Sequence, residues 1–257
     1  MMDLTEALGL TASAAAAGVI NAVAGGGTLL TFPVLMFFGT PPVQANATST
    51  VALVIGTAGS IVGFRKQLPA VKHWLAKFIP VSVLGGWIGS ALLTHSSNKF
   101  FANLVPYLIL FATLLFLAQG VFRKLARREA SSGPSSNGLW IAVPFQFAVA
   151  IYGGYFGAGI GILMLATLGF LGLKDIHEMN ALKNLLGSLI NVVAAVCFIA
   201  AGIVDWPKAI VMTVGALIGY SVGAHLSLRI PQQVVRHLIT GIGLVISAVM
   251  FYRQFAS

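Results

Sequence analysis

The sequence predicts an all-α integral membrane protein of about eight transmembrane segments, arranged as two pseudo-symmetric repeats that each open with a glycine-broken helix. Three observations predict it. Only 8% of the 257 residues are Asp, Glu, Lys or Arg and 58% are hydrophobic, about a third of the charge a soluble domain carries. Apolar runs of bilayer-spanning length, roughly 20 residues each, recur in a regular series, and mean hydropathy is +0.93. Two of these runs, at matching places in the series, are interrupted by glycines. Eight spans leave room only for short loops. Soluble enzymes, nucleic-acid binders and disulfide scaffolds are thereby excluded.

The first element covers about 5–38 and is interrupted at Gly25, Gly26 and Gly27. Clean spans follow at about 44–64, 74–94 and 100–121, which closes a first repeat at 1–122. Residues 123–138 are basic and then rich in Ser, Gly and Pro, the composition of a solvated linker. The second repeat, 139–257, opens with an interrupted element at about 139–171, where Gly153, Gly154, Gly157, Gly159 and Gly161 cluster. Spans near 179–202, 207–229 and 233–253 complete it. Asp3 and Glu6 precede the first apolar run and no basic residue does, so it does not read as a cleaved secretory signal. Cys197 is the sole cysteine, so no intramolecular disulfide is expected.

The net charge of +9 reflects topology rather than a nucleic-acid partner. Eight of the fifteen basic residues fall in two segments: Arg65, Lys66, Lys72 and Lys77, then Arg123, Lys124, Arg127 and Arg128. The positive-inside rule makes the loops at 65–77 and 123–128 cytoplasmic.

A shift of 134 residues superposes Gly25 on Gly159, Gly27 on Gly161, Asn46 on Asn180, Ala47 on Ala181, Gly85 on Gly219 and Gly89 on Gly223. One register thus carries the breaks, the Asn-Ala pairs and the span boundaries together, as internal repeats of secondary transporters do. The orientation stays open at this level. Broken elements that cross the bilayer give parallel repeats; broken elements that return to their own side give inverted ones.

Chemistry is expected where the helices break. Non-helical backbone survives at membrane depth only when buried in protein or lining a cavity. Half-helices starting near Thr28 and Gly161 would aim N–H groups and a positive dipole end inward, toward an anion. The helices that follow carry a polar stripe: Asn180, Lys183, Asn184, Gly187 and Asn191 share one face. Asn46, Ser49, Thr50, Leu53 and Thr57 hold the same places in the first repeat. Lys183 is the one charge in the run from Met179 to Gly202. Such residues usually face the protein interior, with snorkelling to the interface as the alternative. Asp175 and Glu178 have capping-box spacing; Glu178 and His225 are the two candidates for proton coupling. The histidines show no metal-ligand spacing, and neither a nucleophile elbow nor a Walker loop is present.

These residues resemble a known family. Asn21-Ala22-Val23-Ala24-Gly25-Gly26-Gly27, then Pro33, then Asn46-Ala47-Thr48-Ser49, resembles the first-repeat signature of the TauE/SafE sulfite-exporter family. Gly157-Ala158-Gly159-Ile160-Gly161 with Asn180-Ala181 is similar to its second-repeat signature. The resemblance covers nearly the whole chain. It implies a bacterial or archaeal inner-membrane transporter, most often an exporter, for sulfur-containing anions such as sulfite or organosulfonates. It maps the anion site to Gly25, Gly26, Gly27, Thr28, Asn46, Thr48, Ser49 and Thr50, and to Gly159, Gly161, Asn180, Lys183, Asn184 and Asn191. The second repeat departs from the pattern: Ile160 stands for a third glycine, Thr167 for the proline matching Pro33, and Leu182-Lys183 for Thr-Ser.

The expectation is therefore a secondary transporter bound by lipid on its flanks, with a small anionic substrate, no cofactor, no metal and no enzymatic activity; a homodimer is left open. A passive anion channel, a membrane-embedded enzyme and a non-transporting scaffold are the alternatives. With only six acidic residues in the chain, the enzyme reading lacks groups to do chemistry.

Overall fold

The computed structural model describes residues 2–23, 26–63, 68–131, 138–169, 176–226 and 232–256. They form ten helices: α1 Leu4–Val23, α2 Thr28–Phe37, α3 Pro42–Gly63, α4 Leu68–Thr94, α5 Asn98–Ser131, α6 Gly138–Tyr155, α7 Ile160–Gly169, α8 Ile176–Ala200, α9 Trp206–Leu226 and α10 Gln232–Ala256. Both glycine clusters break a helix where expected. Each break is followed by a ten-residue helix and then by three long ones. Among the described residues four stretches are long and apolar enough to cross a membrane unaided: Val71–Thr94, Asn98–Val121, Glu178–Ala200 and Gln233–Phe255. Gly25, Asp175 and the linker residues 132–137 lie outside the described residues.

Local chemistry sets the ends. Asp3 Oδ1 accepts the Glu6 N–H at 2.6 Å and caps α1, while Asp205 Oδ1 accepts the Lys208 N–H at the start of α9. Pro42 opens α3 as a first-turn proline, where its missing N–H costs nothing. At the second break Gly157 (φ +83°) and Gly159 (φ +78°) take left-handed conformations that side chains resist. This lets the Gly157 N–H reach back to Tyr152 O and reverses the chain.

The broken elements return toward the end they came from. The Phe38 ring, just past α2, packs over Gly9 near the start of α1. Lys208 Nζ ties both ends together, 2.7 Å from Glu6 Oε1 and 3.5 Å from Phe38 O. In the second hairpin, Gly157 lies beside Asn191 and Gly161 beside Lys183, so α7 runs antiparallel to α8. The hairpin α1–α2 opens at the end of the bundle where α3 and α9 start. The hairpin α6–α7 opens at the opposite end, where α4, α8 and α10 start.

The tightest packing exchanges partners between the halves: α1 lies on α9 and α4 on α6. Thr11, Ala15 and Val19 of α1 face Gly215, Gly219 and Gly223 of α9. A Cβ at Gly219 would collide with Ala15 O. Likewise Gly85 faces Ala150, and a Cβ at Gly89 would collide with Ile151 O. Lipid tails give helices little hydrophobic reason to associate, so close backbone approach over small residues supplies the contact. Two buried clusters result, one around α1, α2, α3, α5 and α9 and one around α4, α6, α7 and α8. Large apolar side chains such as Phe37, Trp140, Tyr252 and Phe255 point outward, as a lipid-facing surface requires.

Candidate functional site

At the first break the chain satisfies itself. Asn21, in the last turn of α1, accepts the Gly27 N–H at 2.7 Å and donates to Tyr220 Oη of α9 at 2.9 Å. Gly26 (φ +97°) sits against the Phe116 ring of α5. The Leu29 N–H bonds back to Gly26 O, and the Leu30 and Thr31 N–H groups to Gly27 O. Thr28 opens α2 and is half-buried. The N–H expected to face an anion at Gly27 is thus already taken by Asn21.

The first polar stripe is buried and largely engaged. Thr48 Oγ1 accepts the Asp205 N–H at 3.0 Å and fixes the approach to α9. Ser49 Oγ lies 2.7 Å from Thr31 Oγ1, and Thr50 Oγ1 donates to Asn46 O within its own helix. Asn46 Nδ2 donates to Tyr155 O at the end of α6, 3.0 Å away. Its Oδ1 is buried and has no hydrogen-bond partner.

The second break is built differently. Gly159 packs against Ala112 and Leu115 of α5, and Tyr152 Oη donates to Ala158 O at 2.7 Å. The Lys183 stem lies along Gly161, in the first turn of α7, and Asn191 Oδ1 stands near Gly157. Lys183 Nζ donates to Asn180 Oδ1 at 3.4 Å. Asn180, Lys183, Asn184 and Asn191 are all half-buried. A cationic donor bonded to one amide thus lies along the first turn of α7, and a second amide stands further along α8 beside the break. That arrangement suits a small anion, because charge-assisted hydrogen bonds strengthen away from water.

The other candidates stand apart. Glu178 is half-buried in the first turn of α8. His225 is exposed near the end of α9, with Nδ1 2.9 Å from Ser221 O, and is not packed in the interior.

Three features had escaped the sequence reading. One is the ion pair of Glu6 with Lys208, backed by Thr40 Oγ1 at 2.9 Å. It borders a cavity of about 340 Å³ lined by Met2, Phe38, Asp205 and Pro207. The partners are some two hundred residues apart, so no spacing rule could join them. The second is the Asn21–Tyr220 bridge; Asn21, six residues before Gly27, was the available signal. The third is Gln146, fully buried in α6, with Nε2 3.0 Å from Ser82 Oγ and Oε1 without a partner. An amide inside an apolar run is the same kind of signal as Lys183.

The family described as "Sulfite exporter TauE/SafE" matches residues 10–250. The "Probable membrane transporter protein YfcA" of Escherichia coli (strain K12) is 29% identical over 237 residues, covering 92% of this chain and 86% of that protein. A "Probable membrane transporter protein" of Haemophilus influenzae is 28% identical over 242 residues, covering 93% and 91%. The "Probable membrane transporter protein YunE" of Bacillus subtilis (strain 168) is 22% identical over 264 residues, covering 94% and 96%. No solved structure matches the chain.

Proposed function

Because the chain belongs to the TauE/SafE sulfite exporter family of membrane transporters, we propose that it is a secondary transporter exporting a small sulfur-containing oxyanion, such as sulfite or an organosulfonate, across the inner membrane. The observation that carries the reading is the Lys183 side chain lying along Gly161 in the first turn of α7. Lys183, Asn180, Asn184, Asn191 and the backbone at Gly159 and Gly161 replace the anion's hydration. The first-half set of Gly25, Gly26, Gly27, Thr28, Asn46, Thr48, Ser49 and Thr50 shapes the facing wall. There the Gly27 N–H and the Thr48 hydroxyl already serve the fold.

The two halves are inverted repeats in this reading. Exchanging α1–α5 with α6–α10 turns the α1–α9 packing into α6–α4, and α5–α10 into itself. Hairpins opening at opposite ends support inversion too. Eleven of the fifteen basic residues belong in sequence to the end where α4 starts, among them Lys72, Arg123, Arg127 and Arg236; Lys99, Lys208 and Arg253 belong to the other. That imbalance makes the linker end cytoplasmic. Alternating access then moves each hairpin with the helix it is packed on, α1–α2 with α9 and α6–α7 with α4.

Radiolabelled sulfite flux in proteoliposomes, against sulfate and acetate as competitors, tests the reading. Saturable sulfite flux that falls at least tenfold in Lys183→Gln is expected. Flux that rises linearly with concentration in both proteins would make the protein a passive pore; none with any sulfur oxyanion would remove the substrate class.

A further inference from the structure

We infer that Asn46 and Ser49 supply oxygens to a binding site for a monovalent cation, for which Na+ is the probe. The starting observation is Asn46, 1% exposed. Its Nδ2 donates to Tyr155 O, which fixes the amide orientation, since a flip would set two acceptors against each other. Oδ1 is then a buried acceptor with no donor, and a buried acceptor left so costs about 1–3 kcal/mol. Ser49 stands one turn further along the same face of α3 and is also buried. Thr31 donates its hydroxyl proton to Gly27 O at 3.2 Å. The Ser49 hydroxyl accordingly donates across the 2.7 Å contact to Thr31 Oγ1, and the lone pairs of Ser49 Oγ remain as acceptors. The unpartnered Asn46 oxygen, with the Ser49 hydroxyl one turn away, thus calls for a positive partner.

The second half shows what such a partner looks like. Asn180 and Lys183 stand 134 residues beyond Asn46 and Ser49, and there the Lys183 ammonium donates to the amide oxygen. Where Ser49 replaces the lysine, the amide oxygen meets no tethered cation, and a free ion completes the pattern. Neutral oxygens suit an alkali ion; a divalent ion would call for carboxylates. No group of three or more His, Cys, Asp or Glu that could hold a metal occurs among the described residues. The inference does not depend on sulfite being the substrate.

Thermal unfolding of the detergent-purified full chain in NaCl, against N-methylglucamine chloride at equal ionic strength and with no sulfur anion, tests it. A ligand that binds only the folded state raises Tm by mass action. A saturable rise of about 2–4 °C in Na+ is expected for the parent protein. Asn46→Leu should lose the rise. Ser49→Lys restores the second-half pattern in the first half, and should unfold in N-methylglucamine at the temperature the parent reaches in Na+. Equal Tm in both salts for the parent would overturn the inference, meaning that water alone meets Asn46. A full Na+ response in Ser49→Lys would also overturn it, because the ion would then bind elsewhere.

Discussion

Asn46 and Asn180 hold the same place in their halves of the chain, yet one faces a serine three residues on and the other a lysine. The consequence spreads outward. Beside Asn180 stands a tethered cation whose stem lies along the first turn of α7. Around Asn46 the hydroxyls bond to each other, to a neighbouring turn and to the approach of α9. The comparison teaches that matching positions in the two halves need not carry matching chemistry. One side chain decides whether a helix break presents a donor or an acceptor.

The most severe test addresses the seams the halves share. Gly219→Val and Gly89→Val each push a side chain into the backbone of a facing helix. Overpacking of that kind typically costs about 1–3 kcal/mol, so both should lower Tm markedly in detergent and reduce folded yield. Losses differing by more than the parent seams' own scatter would show that α1–α9 and α4–α6 are not equivalent. Next in size is the chemical asymmetry. Lys183→Gln should weaken sulfite binding, read by calorimetry, about tenfold or more, the scale of one charge-assisted hydrogen bond. Asn46→Leu, on the facing wall, should weaken sulfite binding less than Lys183→Gln does; a loss as large as that of Lys183→Gln would move the anion toward the first half.

A smaller difference separates the two ends. Glu6 and Lys208 pair at one end, and the shift of 134 puts Trp140 and Trp74 in their places at the other. Glu6→Gln should cost about 1 kcal/mol and the loss should shrink in high salt, whereas Trp140→Ala should be salt-insensitive. The smallest effect is expected at Gly241, in α10, where an added Cβ meets nothing within 4 Å. Gly241→Ala should stabilise by about 0.5 kcal/mol, serving as the control for the two valine variants.

Much of the architecture was legible. Apolar runs marked the long helices, and glycine clusters located both breaks because few other residues tolerate the backbone found at Gly157 and Gly159. The direction taken after each break was not legible. Glycines announce a turn, whereas its return path depends on contacts such as Phe38 over Gly9 and Lys208 on Glu6. The Asn180–Lys183 contact could be foreseen from helical spacing. The role of Thr48 could not, since its partner Asp205 lies far along the chain. Gly85, Gly89, Gly219 and Gly223 stood out by their common register, but which helices they would bring together was invisible without the fold.

The exchange of partners between the halves also sets an order of events at the ribosome. Asn21 meets Tyr220 across 199 residues, and at a synthesis rate of 5–20 residues per second α1 waits roughly 10–40 s for α9 to emerge. During that interval the glycine seam of α9 does not yet exist. Among the described residues α1 is not one of the helices apolar enough to cross by itself. A chain truncated before α9 therefore keeps the packing of its first helix on α2 but lacks the helix it packs on most closely.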